Sequence, residues 1–368
     1  MNRTRRNALS ACAALATGTL LSACGGNEAT TTAVATDSTP RFSWKLLTSW
    51  TRDFPGLGGA ARRLAERISR MSGGRLTVSL YAADEMVPAF GVFDAVAEGR
   101  AEMGHSSPAF WAGKSPACTF FAGVPFGLTA QEMNAWLLHG GGLALWRQVY
   151  GRFGLRPYPC GNTGTQLAGW FKREVRSLKD FKGLKMRVTG LAAEVLRAVG
   201  GEPVAVAGVD LVQAMADEAI AACEWLGPYN DLAMGVHESA RFCYYPGWQE
   251  PGSLLELMVN KRAFDELPDD LQAIVEGAAQ SVNEELLAEY AALNAQALVT
   301  LASEHGTEFR KLPDDALAAL KQAAEQIVGG IAGSDPLAQQ VYASYLDFRE
   351  QSRQWQRISE QAFVQARG

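Results

Sequence analysis

Residues 43–80 read SWKLLTSWTRDFPGLGGAARRLAERISRMSGGRLTVSL, and their periodicity sets the fold class. The first eight positions have the apolar and aromatic character of a strand, closed by a polar turn containing Pro55 and Gly56. Leu57, Ala61, Leu64, Ile68 and Met71 then recur at spacings of three and four, which places them on one face of a helix. Ser72-Gly73-Gly74 stops that helix, and Leu76, Val78 and Leu80 alternate as a second strand. Pro88 opens another helix carrying Phe93, Val96 and Ala97, and residues 101–106 read as a third strand. Strand, helix, strand, helix, strand predicts a parallel sheet covered by helices.

The α/β alternation continues toward the C-terminus. Residues 155–171 are strand-like and glycine-rich, 184–188 have the character of a buried strand, and helices are predicted over 192–199 and 211–216. These make a second α/β domain. Beyond Lys261 the pattern changes. Leu267-Pro268-Asp269-Asp270 and Leu312-Pro313-Asp314-Asp315 each put proline and acids at a helix start, where the fixed φ and the helix dipole favour them. Between them, 271–304 is rich in Ala, Leu and Glu with no breaker after Gly277. A final helix is predicted over 342–366, with Tyr345, Phe348, Trp355 and Phe363 as an aromatic packing stripe. Helices this long either brace two domains or pair with another subunit, so a homodimer through them is one expectation. The expected divisions are a first domain over 42–160, a second over 161–252, and a return to the first over 253–368.

Toward the N-terminus the chain carries an export leader. Arg3, Arg5 and Arg6 precede an apolar run over 8–23, shorter than the roughly 20 residues that a spanning helix needs. Leu21-Ser22-Ala23-Cys24-Gly25 resembles a lipobox, in which removal of 1–23 leaves the Cys24 thiol linked to diacylglycerol. Thr4-Arg5-Arg6-Asn7-Ala8-Leu9 resembles a twin-arginine signal without the usual aromatic, so twin-arginine and Sec export both stay open. Residues 24–41 hold mostly Thr, Ala, Gly and Ser, which cannot bury enough surface to offset chain entropy and read as a flexible tether. The expected location is periplasmic or otherwise extracytoplasmic, with membrane contact only through the lipid.

Composition narrows the function. Of 368 residues 48% are hydrophobic and 20% charged, an ordinary folded composition with room for two domains. A net charge of −5, from 34 Lys and Arg against 39 Asp and Glu, argues against a nucleic-acid partner. Cys118, Cys160, Cys223 and Cys243 sit in apolar or aromatic surroundings without close C-x-x-C spacing and read as buried free thiols.

Gly56-Leu57-Gly58-Gly59-Ala60-Ala61 matches G-x-G-x-x-A between a strand and a helix, the arrangement that cradles a pyrophosphate. It supports one alternative, an exported nucleotide-dependent oxidoreductase. Against it, residues 51–55 separate the strand from the first glycine, and Asp84 comes late for a ribose-binding acid. His105, His139, His237 and His305 form neither an i, i+4 pair nor a Cys/His cluster, and there is no G-x-S-x-G elbow. Nothing therefore points to zinc or to catalysis.

The middle of the chain is more informative. Lys185-Met186-Arg187-Val188 sets an arginine in a buried-type strand, where it needs either a bidentate carboxylate ligand or an internal salt bridge. Gly161-Asn162-Thr163-Gly164-Thr165-Gln166 offers side-chain amides and freely oriented backbone groups. Cys223-Glu224-Trp225-Leu226-Gly227-Pro228-Tyr229-Asn230 puts an acid beside a large aromatic ahead of a turn. Glu224, Gln166 and a carbonyl supply oxygens that suit a hard cation, although Glu224 alone also suits an internal arginine partner.

At these residues the chain resembles the solute-binding proteins of tripartite ATP-independent periplasmic (TRAP) transporters, in the branch that binds 2-oxo acids or lactate. The resemblance runs through Glu85-Met86-Val87-Pro88-Ala89-Phe90, Met103-Gly104-His105, Val124-Pro125-Phe126-Gly127-Leu128-Thr129, the 161–166 turn, Leu184-Lys185-Met186-Arg187, the 224–230 segment and Tyr245-Pro246-Gly247-Trp248-Gln249-Glu250-Pro251-Gly252. It implies a non-enzymatic, two-domain α/β binding fold with hinge strands and long C-terminal helices, closing over one small acid and serving TRAP membrane subunits. It further implies Arg187 as the carboxylate clamp, Asn162 and Trp225 at the substrate, and a calcium or sodium ion bridging it. The cation ligands fall on Gln166, Glu224 and the Trp225 carbonyl, with Glu250 a further candidate; no organic cofactor is implied. The chain departs from the pattern in three places. Ser107-Pro108-Ala109-Phe110-Trp111 lacks the usual tyrosine pair, Gln249 replaces a histidine, and residues 216–221 lack the customary glycine and aspartate. The first departure points toward a larger or more apolar acid.

Overall fold

The computed structural model describes residues 40–206 and 208–368; the leader, Cys24 and nearly all of the tether lie outside the described residues. In chain order the strands are β1 (Phe42–Thr48), β2 (Leu76–Tyr81), β3 (Met103–Ser106), β4 (Leu155–Asn162), β5 (Gly169–Phe171) and β6 (Lys185–Arg187). They continue with β7 (Glu202–Val204), β8 (Ala222–Cys223), β9 (Phe242–Tyr245), β10 (Leu254–Asn260) and β11 (Glu308–Lys311). One sheet has the order β2-β1-β3-β10-β4, the other β11-β9-β5-β8-β6-β7. The parallel arrangement expected from 43–106 holds for β1 with β2 and β3, while β10 runs antiparallel to both its neighbours.

Helix Leu57–Met71 buries Leu57, Leu64 and Ile68 against Trp44, Leu46, Leu76 and Leu257 of the first sheet, and Ala61 is buried as well. Met71, expected on the same face, is exposed because the helix ends there and its last turn overhangs the sheet. Strand β10 is buried on both faces. Leu255, Leu257 and Val259 join the core beneath that helix, and Leu254 and Met258 join the core on the opposite side.

Glu256 shares the second of these faces and is fully buried, with Trp111 Nε1 donating to its Oε1 at 2.6 Å. Burial pushes its carboxyl up to about 8, against the influence of the nearby Tyr150 hydroxyl and the bond from Trp111, so it holds a proton at neutral pH. A carboxyl raised on folding stabilises fully below its unfolded value near 4.5, and that stabilisation is lost as pH climbs toward 8. Glu256→Gln is therefore expected to flatten the decline in stability between pH 5 and 8, read by urea unfolding; an unchanged slope would contradict the assignment.

Helix Asp269–Ser303 has 35 residues and is about 50 Å long. Its first two-thirds, from Leu271 to Tyr290, packs into the core of the first sheet, and Leu301 packs into the core of the second. It thus braces both. The stretch 253–368 does not return wholly to the first sheet, as the sequence suggested. Strand β11 pairs with β9, and Leu312, Ala316 and Leu320 pack with Phe171 and Met186 of the second sheet and with Val195 of helix Gly190–Ala198.

The expected helix over 342–366 is two helices, Pro336–Ile358 and Glu360–Arg367, broken at Ser359, whose backbone leaves the helical region. The aromatic stripe divides with them. Tyr345 is buried and its hydroxyl accepts from the Leu128 N–H at 2.6 Å, whereas Trp355 and Phe363 are exposed. Cys118, Cys160, Cys223 and Cys243, the four cysteines among the described residues, are buried and free, as expected.

Candidate functional site

Three connections join the sheets, and two of them, residues 163–168 after β4 and 246–253 before β10, bind each other along their length. Gln166 N–H donates to the Glu250 carbonyl at 3.2 Å, Thr163 N–H to Ser253 at 3.1 Å, and Thr165 Oγ1 to Pro251 at 2.8 Å. The approach is close enough that a Cβ on Gly247 would lie 2.0 Å from the Gln166 carbonyl oxygen, so only glycine fits there. Four residues singled out from sequence sit on or beside this strap: Asn162 at the end of β4, Gln166, Gln249 and Glu250.

The others come from the second sheet. Arg187 ends β6 and Glu224 follows β8, a parallel neighbour, so both stand at the carboxyl ends of their strands, where open α/β sheets bind ligands. Glu224 N–H donates to the Arg187 carbonyl at 2.9 Å. Arg187 Nη1 donates to the Glu224 carbonyl at 2.6 Å and to its Oε2 at 3.1 Å, with both side chains about nine-tenths buried. The internal salt bridge weighed from sequence is thus present, and it occupies one arm of the guanidinium. Arg187 Nη2 has no partner among the described residues, which leaves the other arm for a ligand. The guanidinium also lies 4.9 Å from the Trp225 ring centroid, and Phe54 meets that ring edge-on at 6.1 Å.

Several buried polar atoms around this cluster have no partner among the described residues: Asn162 Nδ2, Gln166 Oε1, Trp225 Nε1 and Gln249 Oε1. Groups left so are costly unless something else bonds them. Glu250 lies within the same cluster, since Gln166 Nε2 donates to its Oε2 at 2.8 Å. Burial pushes Glu224 up to about 8, and the nearby Glu250 adds to this against Arg187. Glu250 is likewise raised by burial, against hydrogen bonds from Ser253 and Gln166 and the charge of Arg187. Two crowded carboxylates beside an unpartnered amide oxygen form an all-oxygen donor set that fits a hard cation. Among the described residues no group of three or more His, Cys, Asp or Glu is placed to hold a metal, so a cation here would rest on two carboxylates and neutral oxygens.

The glycine turn at 56–61 does not make a phosphate cradle. A Cβ on Gly56 would meet the Tyr290 ring at 2.7–2.9 Å, and one on Gly58 the Thr51 carbonyl at 2.5 Å, so the glycines admit the chain's own atoms. The Gly58 N–H is already bonded to the Phe54 carbonyl at 3.0 Å. His105 has a packing role. Its Nδ1 accepts from Trp50 Nε1 at 2.9 Å, which leaves Nε2–H to donate to the Cys160 carbonyl at 3.0 Å, and burial lowers it to about 4. Asp231, which sequence reading passed over, is buried and bonds Trp170 Nε1 at 2.7 Å. An acid in the first turn of helix Pro228–Met234 carries the signature of dipole compensation, which hides any other role.

Two sheets strapped together by paired crossovers, with buried polar groups gathered at the strap, define a two-lobed solute-binding protein. A family model described as bacterial extracellular solute-binding protein, family 7 (DctP), matches residues 48–334, and the chain belongs to that family. A monocarboxylate 2-oxoacid-binding periplasmic protein from a Nostoc species is 38% identical over 98% of this chain and 97% of its own length. A TRAP periplasmic solute-binding protein from Colwellia psychrerythraea, solved with calcium and pyruvate, is 37% identical with a TM-score of 0.86, covering 89% of this chain and 99% of that one. Its counterpart from Pseudoalteromonas atlantica, solved with sodium and pyruvate, is 37% identical with a TM-score of 0.84, covering 88% and 99%. The chain is an extracytoplasmic solute-binding receptor of the TRAP type and not an enzyme, and the oxidoreductase alternative has no support.

Proposed function

We propose that the protein captures a small 2-oxo or 2-hydroxy monocarboxylate, such as pyruvate or lactate, with a calcium or sodium ion and delivers it to TRAP membrane subunits. The observation that carries this reading is the half-committed guanidinium of Arg187 beside a cluster of buried, unpartnered polar atoms. The free arm of Arg187 takes the acid's carboxylate, Asn162 Nδ2 donates to it, and the Trp225 ring excludes water from the pair. Gln166 Oε1, Glu224, the Trp225 carbonyl and Glu250 hold the cation. When bound, it neutralises their combined charge and offers the acid a second attachment point. Because Asn162, Gln166 and Glu250 lie on or next to the crossovers and Arg187 and Glu224 on the second sheet, occupancy would couple to movement of one lobe against the other.

A thermal-shift screen of small carboxylates, with and without calcium or sodium, tests the reading. Pyruvate or lactate should raise the melting temperature only with cation present. A shift with a nicotinamide dinucleotide and none with any carboxylate would overturn it. The lipid on Cys24 and the tether over 24–41 would hold this trap near its membrane subunits, which mass spectrometry of the exported chain checks. The exposed Trp355, Ile358, Phe363 and Val364 would seat a second copy of the chain, which sedimentation of Trp355→Asp against the unaltered chain checks.

A further inference from the structure

We infer that Asp231 is a positioning residue that sets the Trp225 carbonyl for the cation, an inference that rests on the cation site proposed above. Asp231 is 1% exposed, and its two oxygens do different work. Oδ2 accepts from Trp170 Nε1 at 2.7 Å, and Oδ1 accepts from the Leu226 N–H at 3.3 Å. The Trp225–Leu226 peptide is planar and trans, so its C=O points opposite to its N–H. Drawing the Leu226 N–H onto Asp231 therefore turns the Trp225 carbonyl away from Asp231.

The neighbouring peptides are fixed as well. The Glu224 carbonyl accepts from Arg187 Nη1, and the Leu226 carbonyl accepts from the Leu167 N–H at 3.3 Å, next to Gln166. Between them, the Trp225 carbonyl accepts no hydrogen bond among the described residues. A carbonyl left unbonded inside a pinned segment, whose next carbonyl bonds the residue after Gln166, is an oriented oxygen available to a cation. Asn at 231 has one acceptor, which the shorter 2.7 Å bond from the buried Trp170 Nε1 retains, so its NH₂ faces the Leu226 N–H, the 3.3 Å bond is lost and the peptide is released.

Calcium titrations by calorimetry at saturating pyruvate, on the full mature chain, separate positioning from simple packing. Asp231→Asn should weaken calcium binding at least tenfold. Trp170→Phe removes the Oδ2 donor but keeps the Leu226 bond, so it should lower the melting temperature while calcium affinity stays within twofold. Calcium affinity unchanged in Asp231→Asn but lost in Glu224→Gln would overturn the inference and leave the site standing. Affinity unchanged in both would overturn the site and the inference together. If Asp231→Asn does not fold, the unaltered chain still reports: the ¹³C shift of the Trp225 carbonyl should move on adding calcium, and a stationary signal would overturn the inference.

Discussion

Arg187→Ala is expected to weaken pyruvate binding on the order of 100-fold, about 3 kcal/mol, measured by calorimetry with calcium present. The size follows from where the guanidinium sits. It is about nine-tenths buried, one arm is fixed to Glu224 and the strand beneath fixes its base, so little ordering remains when the free arm meets a carboxylate. Removing it takes away the charge-assisted bonds and also leaves Glu224 buried without its partner. Glu224 already tends toward protonation, so the variant has a route to neutrality and should fold. Arg187→Lys keeps the charge but not the planar fork, and a loss of roughly tenfold is expected from it. Equal affinity in Arg187→Ala and the unaltered chain would remove the clamp from the account.

Glu224→Gln should have the second largest effect, a fall in calcium affinity on the order of 100-fold at saturating pyruvate. The amide keeps the shape and one oxygen but, unlike the Glu224 carboxyl, cannot give up a proton to present a second carboxylate beside Glu250 when a cation arrives. Glu250 is then the one carboxyl left in the cluster to face both Arg187 and the cation. Calcium titration by calorimetry reads the change directly, and an undiminished affinity would take Glu224 out of the cation shell.

The class of the fold was legible because 43–106 carries a strand period of two and a helix period near four with glycine stops between them. The two Leu-Pro-Asp-Asp segments likewise marked helix starts at Asp269 and Asp314. What sequence could not carry was partnership across distance. Nothing local says that β11 pairs with β9 rather than returning to the first sheet, because a four-residue strand has too few positions to mark which sheet it joins. The helix break at Ser359 is silent for the same reason, since its flanks are uniformly good helix formers.

At the site, Arg187, Glu224, Gln166 and Asn162 stood out because each is a polar residue in a setting that makes burial costly. The Arg187–Glu224 bond was visible only as a choice between ligand and internal partner, and the geometry places the internal bond without consuming the whole guanidinium. Asp231 was hidden because its value lies in a peptide plane five residues upstream in the chain, which no spacing rule reports. The missing hydroxyls of Ser107-Pro108-Ala109-Phe110-Trp111 find a partial explanation in packing: Trp111 turns inward to Glu256, while Phe110 stacks edge-on with Phe90 at 5.0 Å and tilts toward Trp50 at 5.9 Å.

The central claim is that cation and carboxylate are bound as one unit between the sheets. Calorimetric titration of pyruvate into chelator-treated, desalted protein, repeated after calcium or sodium is restored, tests it most directly. Tight one-to-one binding is expected with cation, and a loss of at least tenfold without it. Pyruvate binding of equal strength in both titrations would contradict it.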